Sequence, residues 1–367
     1  MSDPRYQKLA KVLTHYSLAI RPGDKLAIEG GAIAAPLIQE VYREAIRAGA
    51  YVSTYISLDG LREIELRESS DEQLIYISEL EKIENEYFDA QLTIWSEQNT
   101  KHLGGIHPER IAKRLGARAD LTKRWSERVA SGALRWCGTL FPTHGYAQDA
   151  GMSLSDYEDF VFQAGMLDHN DPVAAWLNLS QEQQRLADFL NQRDEIRIIA
   201  PDTDITYKVG GRQWINCAGR ENFPDGEIFS SPIEDSMSGH IRFSFPAVYE
   251  GNEVEDVQLV FQHGKVVEAS ARRGLNFLQA MLDTDPGARF VGEVAFGLNY
   301  RITRFSKESL FDEKIGGTMH LALGESYPES GGVNDSGLHW DMVCDLHEGK
   351  VYADGQLCYE NGRFIVS

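Results

Sequence analysis

The spacing of apolar residues changes character partway along the chain. Up to about residue 190, short apolar or β-branched runs alternate with stretches in which apolar positions recur every three or four residues. DKLAIEG (24–30), YVSTYIS (51–57), DAQLTIWS (89–96) and LRWCGTLFP (134–142) have the length and composition of strands. Between them, PLIQEVYREAIRAGA (36–50) puts Leu37, Ile38, Val41 and Ala45 on one helical face and ends on Gly49 at a C-cap position. DEQLIYISELEKIENEY (71–87) and the region from Pro108 to about Ala130 also carry the helical pattern. Strands separated by helices at this spacing predict βαβ units and an open parallel sheet covered on both faces. SLSDYEDFVFQAGM (153–166) and LSQEQQRLADFLNQRD (179–194) continue as helices, with Ser153 and Ser180 placed to serve as N-caps.

After Asp194 the period shortens to two. EIRIIAPDTDITYKVGG (195–211) alternates like a hairpin. VEDVQLVFQHGKVVEASA (254–271) reads as two strands joined near His263 and Gly264, and GKVYADGQLCYENGRFIVS (349–367) as two more. The fold class expected is α/β plus mainly β. An N-terminal Rossmann-like domain over residues 1–190 precedes a β-rich domain over 191–367. A length of 367 residues supports two such cores.

A nucleotide site does not follow from the α/β pattern. EGGAIAAP, after the first strand, is not GxGxxG, and no GxxxxGK[ST] occurs. The formal net charge of -20 argues against nucleic acid or an anionic membrane surface as partner. No run approaches the ~18 apolar residues of a membrane span, and MSDPRYQKLAKVL lacks the layout of a secretory signal, so a cytoplasmic protein is expected. Cys137, Cys217, Cys344 and Cys358 are scattered without a CxxC pair, which fits reduced thiols. Any metal site must therefore be built from histidines and carboxylates.

One candidate is the end of GGVNDSGLHWD (331–341). On a strand, His339 and Asp341 share a face while Trp340 points the other way. The same His-x-acid spacing occurs at His107/Glu109 and His169/Asp171, but there in proline-containing, turn-like surroundings that suit solvated pairs. In the same half of the chain, NFPDGEIFSSP (222–232) carries Glu227, GEVAFGLN (292–299) carries Glu293, and HLALGESYP (320–328) carries His320 and Tyr327. Singly these read as a turn carboxylate, an edge-strand charge, a core histidine and a packing aromatic. Together, three carboxylates and two neutral imidazoles bring a charge of -3, which two divalent cations and a hydroxide would balance.

These four motifs, in this order, resemble the aminopeptidase T and aminopeptidase S family of dinuclear metallo-aminopeptidases. FPTHGYAQDAGMSLSDYEDF (141–160) extends the resemblance into the N-terminal half. The resemblance implies Glu227, Glu293, His320, His339 and Asp341 as metal ligands and places the family's active-site tyrosine on Tyr327. It implies two divalent ions, with zinc, cobalt or manganese suited to such ligands. It also implies peptide substrates with a free N-terminus, and a homodimer. The loop between Tyr327 and His339 is short for the family; the general base stays open, Glu325 beside the motif reading more readily as a solvated loop residue. No HExxH helix and no GxSxG elbow is present. Two rival readings use the same residues: another dinuclear hydrolase of amidohydrolase type, or an α/β binding protein with a structural cation.

Overall fold

A computed structural model describes residues 3–249 and 251–366. The chain divides into two compact units, residues 1–173 with 219–223, and residues 174–218 with 224–367.

In the first unit, strands β1 (Lys25–Gly31), β2 (Tyr51–Ser57), β3 (Ala90–Trp95) and β4 (Arg135–Leu140) form a sheet in the order β2-β1-β3-β4. The short strand Asn222–Phe223 is added at its edge, and every pairing is parallel. The helix Ala35–Arg47 buries Leu37, Ile38, Val41 and Ala45, the four positions its period selects. EGGAIAAP forms a turn with Ala32–Ala34 as a single 3₁₀ turn, and the Gly31 N–H donates to Ser96 Oγ at 3.1 Å. A crevice of about 820 Å³ opens at the carboxyl ends of β1, β2 and β3. That is the usual place for a ligand in such a sheet, but the histidine and carboxylate motifs lie in the other unit.

Several helices differ from the sequence pattern. The region from Pro108 breaks into Pro108–Ala117 and Ala119–Ala130 at Arg118, whose guanidinium donates to the carbonyl of Tyr76. DEQLIYISELEKIENEY likewise forms two short helices, Asp71–Ile75 and Glu79–Tyr87, capped by Ser70 and Ser78. Ser153 caps its helix as expected, accepting from the Asp156 N–H at 3.1 Å. Ser180 caps nothing. It lies inside a helix that starts at Pro172, a residue favoured in a first turn, and runs to Leu190. The inward side of that helix contributes Ala187 and Leu190 to the second core, so the unit boundary falls at its start rather than near 190.

The second unit contains two larger antiparallel sheets and a two-stranded antiparallel ribbon, Ala247–Tyr249 with Asn252–Val254. One has eight strands, including the hairpin Glu195–Ala200/Thr203–Lys208 and the pair Val257–Gln262/Lys265–Ser270. His263 and Gly264 turn between the latter two with φ of 49° and 77°, as a two-residue hairpin turn requires. The other sheet has five strands. Four of them are β5 (Glu227–Ser230), β6 (Val291–Gly297), β7 (Thr318–Gly324) and β8 (His339–Asp345), in the order β8-β7-β6-β5, with Ile215–Cys217 at the β5 edge.

One buried cluster joins both sheets. The five-stranded sheet supplies Ile228, Val291, Val294, Phe296, Met319, Leu321, Leu323, Trp340, Met342 and Cys344. The eight-stranded sheet supplies Ile196, Ile198, Ile205, Tyr207, Leu259 and Phe261. The cysteines are free thiols, Cys137, Cys344 and Cys358 buried and Cys217 partly so. Among the described residues, no helix is long and apolar enough to cross a membrane.

Candidate metal centre

The core-facing residues of the five-stranded sheet fix which residues lie on its other face. Alternation along β7 and β8 puts Met319, Leu321 and Leu323 inward with Trp340 and Met342, leaving His320, His339 and Asp341 on the opposite face. On β5, Ile228 is inward and Glu227 is not. Strand β6 reaches the same result through an irregularity. Val291 and Val294 both face the core, and the pairing with β7 slips by one residue between Val291 and Glu293. This bulge turns Glu293 to the face that carries the histidines. It depends on Gly292, because a Cβ there would lie 2.0 Å from the Glu325 carbonyl oxygen. Gly226, at φ +120° before Glu227, is equally constrained.

Register then brings the side chains together. Ala322 on β7 pairs with Glu293 on one side and Asp341 on the other, so two carboxylates flank a side chain too small to separate them. His320 Nε2 lies 3.3 Å from Glu293 Oε1, 3.8 Å from Glu227 Oε2 and 3.8 Å from Asp341 Oδ1. His339 Nε2 lies 3.4 Å from Glu293 Oε2 and 3.5 Å from Asp341 Oδ1. The structure thus brings Glu227, Glu293, His320, His339 and Asp341 together in two overlapping groups, Glu227–Glu293–His320 and Glu293–His339–Asp341. Glu293 belongs to both and offers one oxygen to each histidine.

The surroundings suit cation binding. Each imidazole has its Nδ1 against a backbone carbonyl, His320 at 3.3 Å from Glu313 and His339 at 3.0 Å from Glu325. With Nδ1–H donating, each Nε2 keeps a lone pair aimed into the cluster. Glu227 Oε2 is buried and has no hydrogen-bond partner. A buried carboxylate oxygen is costly to leave unsatisfied, and a bound cation would satisfy it.

The same crowding perturbs every candidate ligand. Burial pushes the Glu227 carboxyl up to about 8, against the pull of Lys314. Burial also opposes ionisation of Glu293, but hydrogen bonds from His320 and His339 outweigh it and hold the carboxyl below its ordinary value. For Asp341, burial is outweighed by the charge of His339 and by its hydrogen bond. Burial disfavours the imidazolium forms, yet the carboxylates raise His320 to about 9 and His339 to about 12.

A pH dependence follows. A histidine raised on folding stabilises the fold fully below its ordinary value of 6.5, and that contribution is lost as pH climbs through the raised value. Glu227, raised from 4.5, acts in the same direction as pH rises through about 8. Glu293 and Asp341, both depressed, lose their contribution only in acid. The chelated protein is therefore expected to have a falling Tm between pH 6.5 and 9, measured by differential scanning calorimetry; a Tm rising over that window would contradict this account.

Tyr327 lies beside the cluster. Its ring meets those of Phe229 and His339 edge-on, at centroid distances of 5.3 and 5.2 Å. Partial burial and then the charges of Glu293 and Asp341 raise its pKa, so the hydroxyl keeps its proton. Glu325 is turned away: its carboxylate accepts the Ser336 N–H at 2.6 Å, pinning the 328–338 loop. That loop is tied down further by Asn334 Nδ2, which donates to the carbonyls of Gly287 and Gly324. Sequence reading missed Glu313 and Lys314. Lys314 is 2 % exposed, places Nζ 3.2 Å from Glu227 Oε1, and also pairs with the Glu313 carboxylate. The only sequence signal is FDEKIGG just before the His320 strand, a charged turn that normally faces solvent.

The chain matches the family described as thermophilic metalloprotease (M29) over residues 2–364. It is 29% identical to aminopeptidase 2 of Geobacillus stearothermophilus, over 96% of this chain and 95% of that protein. It is 27% identical to aminopeptidase T of Thermus thermophilus, over 98% of each. Among solved structures, wild-type AmpT from Thermus thermophilus superposes with a TM-score of 0.86 at 25% identity, over 99% of both chains. A 2,5-dihydroxypyridine dioxygenase from Pseudomonas putida KT2440 superposes with a TM-score of 0.60 at 13% identity, over 99% of this chain and 97% of that one, a likeness of fold alone. With its motifs, its two-unit architecture and nearly its whole length accounted for, the chain belongs to the thermophilic metalloprotease (M29) family, the aminopeptidase T and S family that its sequence resembles.

Proposed function

We propose that this protein is a metal-dependent aminopeptidase that removes single N-terminal residues from peptides at a site holding two divalent cations. The observation that carries this reading is the sharing of Glu293 between two ligand groups, in a chain of a metalloprotease family whose relatives are named aminopeptidases. Glu227, Glu293 and His320 would hold one ion; Glu293, His339 and Asp341 would hold the other. Such a pair of ions would supply an acidified water as nucleophile and polarise the scissile carbonyl.

The protein's own groups have distinct tasks. Glu293, with one oxygen toward each group, would offset repulsion between two ions held there. His320 and His339 are oriented by the Glu313 and Glu325 carbonyls, which fixes the tautomer that leaves Nε2 free. Tyr327 would donate a hydrogen bond to the oxyanion as the carbonyl is attacked. Zinc, cobalt and manganese all suit imidazole and carboxylate ligands, and a homodimer is the expected assembly.

The test compares leucine p-nitroanilide with its N-acetylated form. Hydrolysis of the free-amine substrate at least ~100-fold faster, a difference of about 2.7 kcal/mol in transition-state binding, is expected. Equal rates would refute an aminopeptidase and favour a different metal-dependent hydrolase.

A further inference from the structure

Lys314 is a buried cation set against one half of a centre built to bind cations. Its side chain is 2 % exposed, and its Nζ lies 3.2 Å from Glu227 Oε1 and against the Glu313 carboxylate. Glu227 is thereby divided. Oε1 is paired with the ammonium, while Oε2, buried and without a hydrogen-bond partner, lies 3.8 Å from His320 Nε2 on the side of the cluster. A carboxylate that pairs one oxygen with a lysine has one left, so Glu227 would offer a cation a single oxygen.

The second group has no such neighbour. Both oxygens of Glu293 face imidazoles, and Asp341 Oδ1 faces His339 and His320. Among the described residues, no lysine or arginine lies within 4.0 Å of either carboxylate. The fixed positive charge therefore falls unequally on the two groups. It repels an incoming cation and pairs directly with a ligand on the Glu227 side, whereas it reaches the Glu293–His339–Asp341 side only from beyond ion-pair distance. Coulomb interaction at these distances inside a protein is large enough to separate two affinities.

Resting on the two-cation reading above, we infer that Lys314 is a positioning residue that makes the two metal positions unequal. The Glu293–His339–Asp341 position fills first and the Glu227–Glu293–His320 position second and more weakly. Glu313 balances the buried lysine, so the charge pair as a whole adds no net charge while its positive end rests on Glu227. The consequence is a centre whose second ion exchanges with the medium at concentrations where the first stays bound.

Calorimetric titration of the metal-free protein with zinc chloride, repeated with cobalt chloride and followed by cobalt absorption, tests this. The native protein should bind two ions in steps separated by at least ~10-fold in Kd, equivalent to about 1.4 kcal/mol. Lys314→Met should tighten the weaker step and leave the stronger one within about twofold. The double variant Glu313→Gln/Lys314→Met removes the pair without leaving Glu313 unpaired, and should behave the same way if the single variant folds poorly. Lys314→Arg, which keeps the charge, should restore the gap. Two steps whose separation is the same in native and double-variant protein would overturn the role of Lys314 while leaving the two-cation centre standing. Binding of a single ion by native and variant proteins alike would overturn both.

Discussion

Glu293→Gln should lower kcat/KM for leucine p-nitroanilide by at least ~10³, about 4 kcal/mol of transition-state stabilisation. Glutamine keeps the shape of the side chain but replaces one oxygen by an amide NH₂ that cannot accept from an imidazole or bind a cation. Glu293 is the one residue common to both ligand groups, with Oε1 3.3 Å from His320 Nε2 and Oε2 3.4 Å from His339 Nε2. The loss should therefore extend to both metal positions. Elemental analysis after dialysis should find less than one ion per chain, where the native protein retains more. Circular dichroism should be unchanged, because the residue lies on the face of β6 opposite Val294 and Phe296. Glu325→Gln provides the contrast: its carboxylate holds the Ser336 N–H and not the cluster, so activity should stay within a few-fold of native. Native-level turnover by Glu293→Gln would remove the shared carboxylate from the chemistry.

Chelation should have the second large effect. Treatment with EDTA should reduce peptide hydrolysis to background, and re-addition of zinc, cobalt or manganese should restore it. Chelation should also lower Tm. An ion bound only by the folded state stabilises it by RT ln(1 + [L]/Kd), about 2.7 kcal/mol per site at a hundredfold excess over Kd. For a chain of this size, each kcal/mol corresponds to roughly 1 °C, so with two sites a drop of several degrees is expected. The drop should widen as pH rises from 6.5 to 9. Over that range His320, raised to about 9, begins to lose the proton that partly compensates the clustered carboxylates when metal is absent. Activity that survives complete removal of metal, verified by elemental analysis, would exclude the proposed chemistry.

Much of the fold was legible because hydrophobic period is a local property. Leu37, Ile38, Val41 and Ala45 define a helix face whatever surrounds them, and they are the residues that helix buries. The alternation in 195–208 and the His263-Gly264 turn likewise specify hairpins from neighbouring residues alone. Helix boundaries were less legible. The break at Arg118 is accompanied by a guanidinium donating to the Tyr76 carbonyl 42 residues away, and the continuous helix through Ser180 follows from packing of Ala187 and Leu190 in the second core. Neither influence leaves a local trace.

The candidate site divides in the same way. Sequence alone determined the candidate ligand types and the pairing of His339 with Asp341, because alternation in a strand fixes that both share a face. It also determined, through motif resemblance, that Glu227, Glu293 and His320 belong with them. Only the tertiary structure decided how they meet. Strict alternation from Val291 would send Glu293 into the core with its neighbours; the bulge at Gly292, where any Cβ would strike the Glu325 carbonyl, turns it to the metal face. Only the register placing Ala322 between Glu293 and Asp341 makes Glu293 common to both groups. Lys314 shows the same limit from the other side. In sequence it is one charge in a polar turn, and its burial against Glu227 is set by strands far apart in the chain. Burial and convergence depend on distances across the fold, and a pattern read along the chain contains no such distances.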